Sequence, residues 1–337
     1  MNSWLPRQTV QRVLSTNAEV EIEIATRRRA MNMRPIMQGK DKLGFIGIGY
    51  MGRPIARRLR ESGFNLTAYD RDPSKAEQLI RYGGTVAQSV SELSATCNVV
   101  LSCLPSDEAV LDIYRGPDGV FANAHRGLLV IDLSTVYPST SQELSRLGSE
   151  HGVEVLDVTI SGSTPAAENG LLTLFGGGNK DCFDGAESIF RVISHKYFHL
   201  GPSGSGATMK LVVNTLLGIG MQAIAEGIGL GEKAGLDRNR LLDVLSQTAV
   251  VAPAHAGKLQ RAMKSDYSPQ FPIRLMNKDF GLILHLAAAV GARMPAAGAA
   301  FEVNATQSGE GAEQDFSAVI LQMEKHAHVG SEGNGRT

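Results

Sequence analysis

A glycine-rich turn, GIGYMG, spans residues 47–52 and is the first stretch whose spacing could do chemistry. The apolar run Lys42–Ile46 precedes it and helical spacing follows it, so the turn joins a predicted strand to a predicted helix. Gly47 permits a tight turn, Gly49 lets backbone N–H groups approach a pyrophosphate, and Gly52 lets the helix pack closely. The turn therefore predicts a dinucleotide site. Its predicted cofactor contacts are Gly47, Gly49, Tyr50, Met51 and Gly52.

An acidic residue, Asp70, lies about 20 residues after the turn, at the end of the next predicted strand, Asn65–Tyr69. A carboxylate there accepts hydrogen bonds from the adenosine ribose and repels a 2′-phosphate, which favours NAD. Arg71 follows directly. It would stack on adenine, pair with the 2′-phosphate of NADP, or remain a solvated surface residue. We therefore predict NAD as the cofactor, with NADP as the alternative.

A lysine and an asparagine, Lys210 and Asn214, are four residues apart in a long apolar segment, Ala207–Ala234. Oxidation of an alcohol needs a group that takes the hydroxyl proton and returns it in the reverse direction. Burial lowers the pKa of a lysine towards neutral pH, which suits Lys210 to that role. Asn214 shares its helix face and would hydrogen-bond the same oxygen or the lysine. By position alone, a solvent-reaching lysine and a satisfied interface asparagine remain the alternative.

The elements that must position these residues fall into two groups. Strands and helices alternate from Lys42 to Leu200, which predicts an α/β Rossmann-type domain with a parallel sheet covered on both faces. After the loop-rich hinge Gly201–Gly206, the chain reads as an all-α domain. We predict a disordered extension at 1–40, a dinucleotide-binding domain at 41–201, a helical substrate and oligomerisation domain at 202–329, and a disordered tail at 330–337.

Composition narrows the function classes. The 337 residues suggest two domains, and a formal net charge of −1 argues against a nucleic-acid partner. The three cysteines form no CxxC or Cys/His cluster, which predicts no metal site and a reducing, cytoplasmic location. The apolar stretch Leu211–Leu230 contains Glu226, so we expect a core or interface helix rather than a membrane span. Apolar helices favour a homodimer or homotetramer.

Further motifs follow in order along the chain: Leu104-Pro105, Asp132-Leu-Ser134-Thr135, Ser161-Gly162-Ser163 and Lys278-Asp279. Together with the glycine turn and the pair Lys210 and Asn214, they make the sequence resemble the β-hydroxyacid dehydrogenase family. This is the family of 3-hydroxyisobutyrate dehydrogenase and 2-hydroxy-3-oxopropionate (tartronate semialdehyde) reductase. The resemblance runs from about Lys42 to His328.

The resemblance implies hydride transfer between NAD(P) and a small β-hydroxy acid or its semialdehyde, with Lys210 as the general acid and base. It implies that the substrate carboxylate meets the exposed backbone at Ser161 and Gly162. Ser163 stands where the family usually has a second glycine. Asp279 would orient the neighbouring lysine, the alternative being an exposed ion pair of little consequence. The residues implied are Ser161, Gly162, Ser163 and Asn214 for substrate, and Leu104, Pro105, Ser134, Thr135 and Lys278 for cofactor.

Other functions remain open on the sequence. A semialdehyde reductase that uses NADPH differs only in substrate and cofactor. The 6-phosphogluconate dehydrogenases share the Lys-x-x-x-Asn helix, but they carry a histidine where this chain has Ala207, and their helical domain is much longer. Imine reductases of similar fold usually lack the lysine. A non-catalytic NAD-binding scaffold also loses it, so Lys210 argues against that class.

Overall fold

The computed structural model describes residues 34–329, which form a sheet domain followed by a helical domain. The strands are β1 (Lys42–Ile46), β2 (Asn65–Tyr69), β3 (Thr85–Val86), β4 (Val99–Ser102), β5 (Leu129–Asp132), β6 (Glu154–Ser161), β7 (Leu172–Gly177) and β8 (Ser194–His199). The helices of the sheet domain are α1 (Gly52–Glu61), α2 (Pro73–Glu77), α3 (Val90–Thr96), α4 (Asp107–Tyr114), α5 (Pro138–Glu150), α6 (Thr164–Asn169), α7 (Lys180–Gly185) and α8 (Glu187–Ile193). The helical domain contains α9 (Ser205–Lys233), α10 (Arg238–Ser246), α11 (Pro253–Ala262), α12 (Ile273–Val290), α13 (Pro295–Ala305), α14 (Glu310–Glu313) and α15 (Val319–Val329).

The eight strands form one sheet in the order β3-β2-β1-β4-β5-β6-β7-β8. All neighbouring pairs are parallel except β6 and β7, which are antiparallel. The predicted Rossmann-type class is therefore confirmed, but an all-parallel sheet is wrong at this pair. The connection Gly162–Leu171 is shorter than the dozen or so residues that a parallel crossover needs, so the chain turns back.

Both faces of the sheet are covered, as predicted. Along β4, Val99 and Leu101 join one buried cluster, while Val100 joins the cluster on the opposite face. The same alternation occurs along β5, where every residue is buried. Strands buried on both faces read as continuous apolar runs, which is why these two were visible in the sequence.

The start of the sheet domain differs from the prediction. Ile36 is buried, its N–H donates to the carbonyl oxygen of Gly185 at 3.0 Å, and its own carbonyl accepts from Ser188 at 2.7 Å. Arg34 pairs with the buried carboxylate of Asp41. Residues 34–40 of the predicted disordered extension are thus folded against the domain, since one apolar side chain finds a buried site. The remainder of that prediction, at 1–33, and the predicted tail at 330–337 lie outside the described residues.

Helix α9 begins on the sheet itself. The two oxygens of Asp157, on β6, accept the N–H groups of Gly204 and Ala207 at 2.9 Å each, which caps the helix. A Cβ on Gly206 would come within 2.4 Å of two strand carbonyl oxygens, so only glycine permits this approach. The side chain of Thr159 donates to the Gly206 carbonyl at 2.8 Å. These contacts hold α9 in place, and Lys210 follows one turn later.

Helix α9 is also the one helix in the described range that is long and apolar enough to cross a membrane by length and composition. Core helices of soluble proteins pass the same test, and 39% of its most apolar window is buried here. Asn214 in that window is 1% exposed and hydrogen-bonded inside the helical domain. The helix thus packs against α12 and α15 while leaving apolar side chains such as Leu216 and Leu230 exposed.

Candidate active site

One edge of the sheet gathers most of the predicted site residues. Strands β2, β1, β4, β5 and β6 are parallel neighbours, so their carboxyl ends meet at the same edge. Ligands bind outside the carboxyl ends of such strands. The segments that begin there are 47–52 after β1, 70–71 after β2, 103–105 after β4, 133–135 after β5 and 162–163 after β6.

The glycine turn has the geometry that a pyrophosphate site requires. Gly47 adopts φ +92, and a Cβ there would lie 2.4 Å from the carbonyl oxygen of Cys103. A Cβ on Gly52 would lie 1.9 Å from the Gly47 carbonyl oxygen, so helix and strand meet too closely for any side chain. A Cβ on Gly49 would meet nothing within 4 Å. Gly47 and Gly52 are therefore required by the fold. Gly49 leaves open space in front of the helix N-terminus, which fits a dinucleotide phosphate.

The acidic residue after β2 also shapes this turn. Asp70 Oδ2 accepts the N–H of Ile48 at 2.7 Å, and Oδ1 accepts the N–H of Asp72 at 2.9 Å. The sequence predicted only a ribose contact for Asp70. In the structure its carboxylate also joins the glycine turn to the loop after β2 through these two hydrogen bonds. Arg71 is exposed, as is Tyr50 in the glycine turn, and neither side chain has a hydrogen-bonding partner among residues 34–329.

The loops after β4 and β5 are joined by a buried polar network. Ser134 accepts the N–H of Leu104 at 2.8 Å and donates to Asp132 Oδ1 at 2.6 Å. Ser102 donates to the same oxygen at 2.7 Å. The sequence placed Ser134 beside the cofactor but assigned nothing to Asp132 itself. The only signal was a carboxylate at the end of an otherwise apolar strand.

The predicted carboxylate-binding stretch follows β6. Gly162 adopts φ +140, and Ser163 precedes α6 without a side-chain capping bond. The side chain of Thr164 lies 3.9 Å from the sulfur of Met51, which belongs to the glycine turn. The structure therefore brings the predicted substrate loop and the predicted phosphate turn together.

Lys210 faces this edge from α9. Its amine has no hydrogen-bond or ion-pair partner in the described part of the chain, and its side chain is half-buried. Burial lowers the pKa of Lys210 to about 8, opposed by the nearby negative charge of Asp279. The amine also lies within electrostatic reach of Cys103, whose pKa is raised to about 12 by burial. A lysine with that pKa exchanges a proton near neutral pH, whereas the thiol stays protonated.

A second cluster joins α9, α12 and the sheet. Asn214 Nδ2 donates to Asp279 Oδ2 at 2.5 Å, and Asp279 Oδ1 lies 3.0 Å from Lys278 Nζ. Lys278 also donates to the carbonyl oxygen of Thr135 at 2.6 Å. Asp279 is 1% exposed, so the alternative of an exposed ion pair is wrong. The asparagine amide is held by the carboxylate, a contact that sequence spacing did not predict.

Known proteins are similar to this chain in sequence and fold. Residues 42–201 match the NAD binding domain of 6-phosphogluconate dehydrogenase, and residues 204–323 match the NAD-binding region of NADP-dependent 3-hydroxyisobutyrate dehydrogenase. A glyoxylate/succinic semialdehyde reductase 2 of Arabidopsis thaliana is 36% identical over 283 residues, which cover 84% of this chain and 79% of the relative.

Two solved structures are similar throughout both domains. A 3-hydroxyisobutyrate dehydrogenase of Mycobacterium tuberculosis, solved with L-serine, is 31% identical, with a TM-score of 0.74, over 84% of this chain and 99% of that one. A protein described as Psf3 in complex with NADP+ and 2-OPP is 25% identical, with a TM-score of 0.78, over 83% and 99%.

The fold and the site thus define an oxidoreductase that binds NAD(P). The chain belongs to the β-hydroxyacid dehydrogenase family, of the 3-hydroxyisobutyrate dehydrogenase type, and is similar to hydroxyacid dehydrogenases and semialdehyde reductases along most of its length.

Proposed function

We propose that the protein transfers a hydride between NAD(P) and a small β-hydroxy acid or its semialdehyde, with Lys210 as general acid and base. The observation that supports this most is Lys210 itself. Its amine has no partner among residues 34–329, and its pKa is about 8 at the edge of the sheet that carries the glycine turn. A bound nicotinamide ring supplies the hydride acceptor or donor. In oxidation, neutral Lys210 takes the hydroxyl proton; in reduction, its ammonium form donates that proton to the carbonyl oxygen.

The other residues position the substrate. The backbone around Gly162 and the first turn of α6 offer N–H groups to a carboxylate, which agrees with an acidic substrate. The predicted substrate contact of Asn214 is not proposed, because Asn214 is 1% exposed and its amide donates to Asp279; it acts on Lys210 through that carboxylate. The relative from Arabidopsis thaliana supports glyoxylate and succinic semialdehyde as candidate substrates. Together with 3-hydroxyisobutyrate and 2-hydroxy-3-oxopropionate they form the panel of compounds to be tested.

The test is turnover with this panel of acids and semialdehydes, each with NAD(H) and NADP(H). Wild type should turn over at least one pair, and Lys210→Ala should lose most of its kcat while it still binds NADH. Lys233→Ala is the matched control, since Lys233 is an exposed lysine at the far end of the same helix. Activity that survives Lys210→Ala contradicts the assigned role. Cofactor binding without turnover of any substrate supports the scaffold alternative instead.

We also propose a cytoplasmic homodimer or homotetramer with no nucleic-acid or membrane partner. Three free cysteines, Cys97, Cys103 and Cys182, support a reducing compartment. The exposed apolar side chains of α9, Leu216 at 70% and Leu230 at 73%, support contact with a second copy. Light scattering after size-exclusion chromatography checks the assembly, and cell fractionation checks the location. A monomer at micromolar concentration contradicts the proposed assembly.

A further inference from the structure

A buried carboxyl group lies at the end of β5, at the edge of the sheet that carries the proposed dinucleotide site. Asp132 ends β5, is 2% exposed, and has no cofactor or substrate role in the function proposed above. Its Oδ1 accepts three hydrogen bonds: from the Ser134 hydroxyl at 2.6 Å, the Ser134 N–H at 3.2 Å and the Ser102 hydroxyl at 2.7 Å. Its Oδ2 is buried and has no hydrogen-bond partner among the described residues. The group therefore accepts hydrogen bonds from one hydroxyl at the end of β4 and one in the loop after β5.

This acceptor fixes the direction of every bond around it. Because Ser134 gives its proton to Asp132, its lone pairs remain for the N–H of Leu104, at 2.8 Å. Because Ser102 also gives its proton to Asp132, the hydroxyl of Tyr114 must be the donor in the 2.7 Å contact between Tyr114 and Ser102. An apolar residue at 132 would pack in the same strand but would leave two buried hydroxyls without their acceptor.

The network joins the loops after β4 and β5, which lie across β1 from the Asp70 loop and so on the side where a Rossmann-type fold takes the nicotinamide half of a dinucleotide. Ser102 and Leu104 belong to the exit of β4, and Ser134 belongs to the exit of β5. The carbonyl oxygen of the next residue, Thr135, accepts a hydrogen bond from the Lys278 ammonium group. Burial raises the pKa of the Asp132 carboxyl, and the hydrogen bonds from Ser134 and Ser102 lower it. Burial of a carboxyl group in such an apolar strand costs free energy of desolvation. The hydrogen bonds that Asp132 accepts offset this cost, and an apolar side chain could not accept them.

We propose that Asp132 is a positioning residue: through Ser134 and Ser102 it sets the loops after β4 and β5 against the nicotinamide half of the dinucleotide. This inference rests on the dehydrogenase function proposed above. Asp132 touches neither hydride nor proton in the reaction. We expect its effect to fall mainly on the nicotinamide end. The loop after β4 also lies against Gly47, but Asp70 holds the glycine turn through the Ile48 N–H independently of Asp132.

The test compares Asp132→Ala with Asp132→Asn, which keeps one side-chain oxygen for the two hydroxyls. Ile189→Ala is the matched control, because Ile189 is fully buried in the same domain but lies on α8. Three quantities are measured: hydrogen exchange at the Leu104 amide without cofactor, the Kd values of NADH and ADP-ribose, and kcat. Should Asp132→Ala fail to fold, Asp132→Ser, whose hydroxyl is too short to meet both neighbours, replaces it.

Asp132→Ala should speed exchange at Leu104 and weaken NADH binding about tenfold, with a much smaller effect on the binding of ADP-ribose. Loss of orientation should lower kcat on the order of 100-fold. Asp132→Asn should recover most of both values, and Ile189→Ala should lower only Tm. Equal weakening of NADH and ADP-ribose, or an Asn variant no better than Ala, overturns the inference. If wild type binds NADH but turns over no substrate, the proposed function fails, while the exchange and binding data still decide the role of Asp132.

Discussion

The side-chain amide of Asn214 on α9 donates to the carboxylate of Asp279 on α12 at 2.5 Å, inside a domain where both residues are almost fully buried. This bond keeps a negative charge within electrostatic reach of Lys210, one helical turn before Asn214. Burial lowers the pKa of that lysine and Asp279 raises it, with a net value of about 8. Burial and Asp279 are thus the two largest of the opposing contributions to the proton affinity of the proposed acid and base, with smaller ones from Lys278 and Cys103.

The first prediction concerns the pH dependence in the two directions. Lys210 must be neutral to accept a proton and charged to donate one. We therefore expect kcat/KM for oxidation to rise with pH up to about 8 and then level off. For reduction, kcat/KM should be level below about 8 and fall above it. Initial rates with saturating cofactor between pH 6 and 10 check this. Profiles that change in the same sense in both directions contradict it.

Removal of the charge on Asp279 should move that inflection. Asp279→Asn keeps an oxygen for Asn214 but ends the attraction that raises the pKa of Lys210. The inflection for oxidation should therefore shift to lower pH, by about one unit, which corresponds to about 1.4 kcal/mol. Asp243→Asn, an exposed carboxylate on α10, is the control and should leave the profile unchanged. An unmoved inflection in Asp279→Asn would show that the two groups do not interact.

The elements that form the site at the edge of the sheet were largely predictable, because each has a characteristic pattern within a short stretch of sequence. The glycine turn, the apolar runs of β1, β4 and β5, and the helix from Ala207 each show in a short window of sequence. Strand β8 was missed because Ser194–His199 is a polar edge strand with exposed residues, and β3 has only two residues. The antiparallel turn at β6 and β7 depends on connection length rather than on strand composition.

Side-chain partners were harder to predict than elements. Asn214 and Asp279 are 65 positions apart, and Ser102 and Asp132 are 30 apart, so no helix or strand period relates them. Such pairs form only where the fold brings two elements together. Lys210 was found because its apolar helix already predicted a lowered pKa, whereas the positioning role of Asp132 required the neighbouring hydroxyls to be placed in space.

Two glycines of the phosphate turn should respond differently to the same substitution. Gly52→Ala places a Cβ 1.9 Å from the Gly47 carbonyl oxygen, so we expect a large fall in Tm. Gly49→Ala meets no protein atom within 4 Å, so Tm should stay within a few degrees of wild type. The Kd of NADH should nevertheless rise at least tenfold in Gly49→Ala, because the methyl group occupies the approach to the phosphates. Thermal unfolding and fluorescence titration check both; unchanged NADH binding by Gly49→Ala contradicts the placement.

The preference for NAD or NADP should depend on Asp70 and Arg71, the two residues that follow β2. We expect wild type to prefer NAD, since the Asp70 carboxylate repels a 2′-phosphate. Asp70→Asn should raise kcat/KM for NADP relative to NAD on the order of tenfold, and the ratio cancels any shared loss from the weakened bonds to Ile48 and Asp72. Arg71→Ala should lower NADP use alone if the exposed guanidinium meets that phosphate. Equal losses with both cofactors would instead indicate stacking on adenine.

The buried ion pair of the helical domain supplies the last prediction, on stability. Asp315 is fully buried and accepts from Lys258 Nζ at 2.6 Å as well as from the N–H groups of Gln270 and Phe271 at 3.1 Å. Its loss in Asp315→Ala leaves the Lys258 charge buried without its carboxylate, so the free energy of unfolding should fall by about 3–5 kcal/mol in urea.

The double variant Lys258→Met/Asp315→Leu should recover part of that loss, because the buried Lys258 charge is gone while the N–H groups of Gln270 and Phe271 still lack their acceptor. Lys258→Met alone should cost less than Asp315→Ala, since the backbone donors keep their acceptor in the former. A double variant as unstable as the sum of the single variants would show that the two groups contribute independently. The segment from Gln270 leads directly into α12, so Asp315→Ala should also weaken the placement of Lys278, measured as a raised KM for the cofactor.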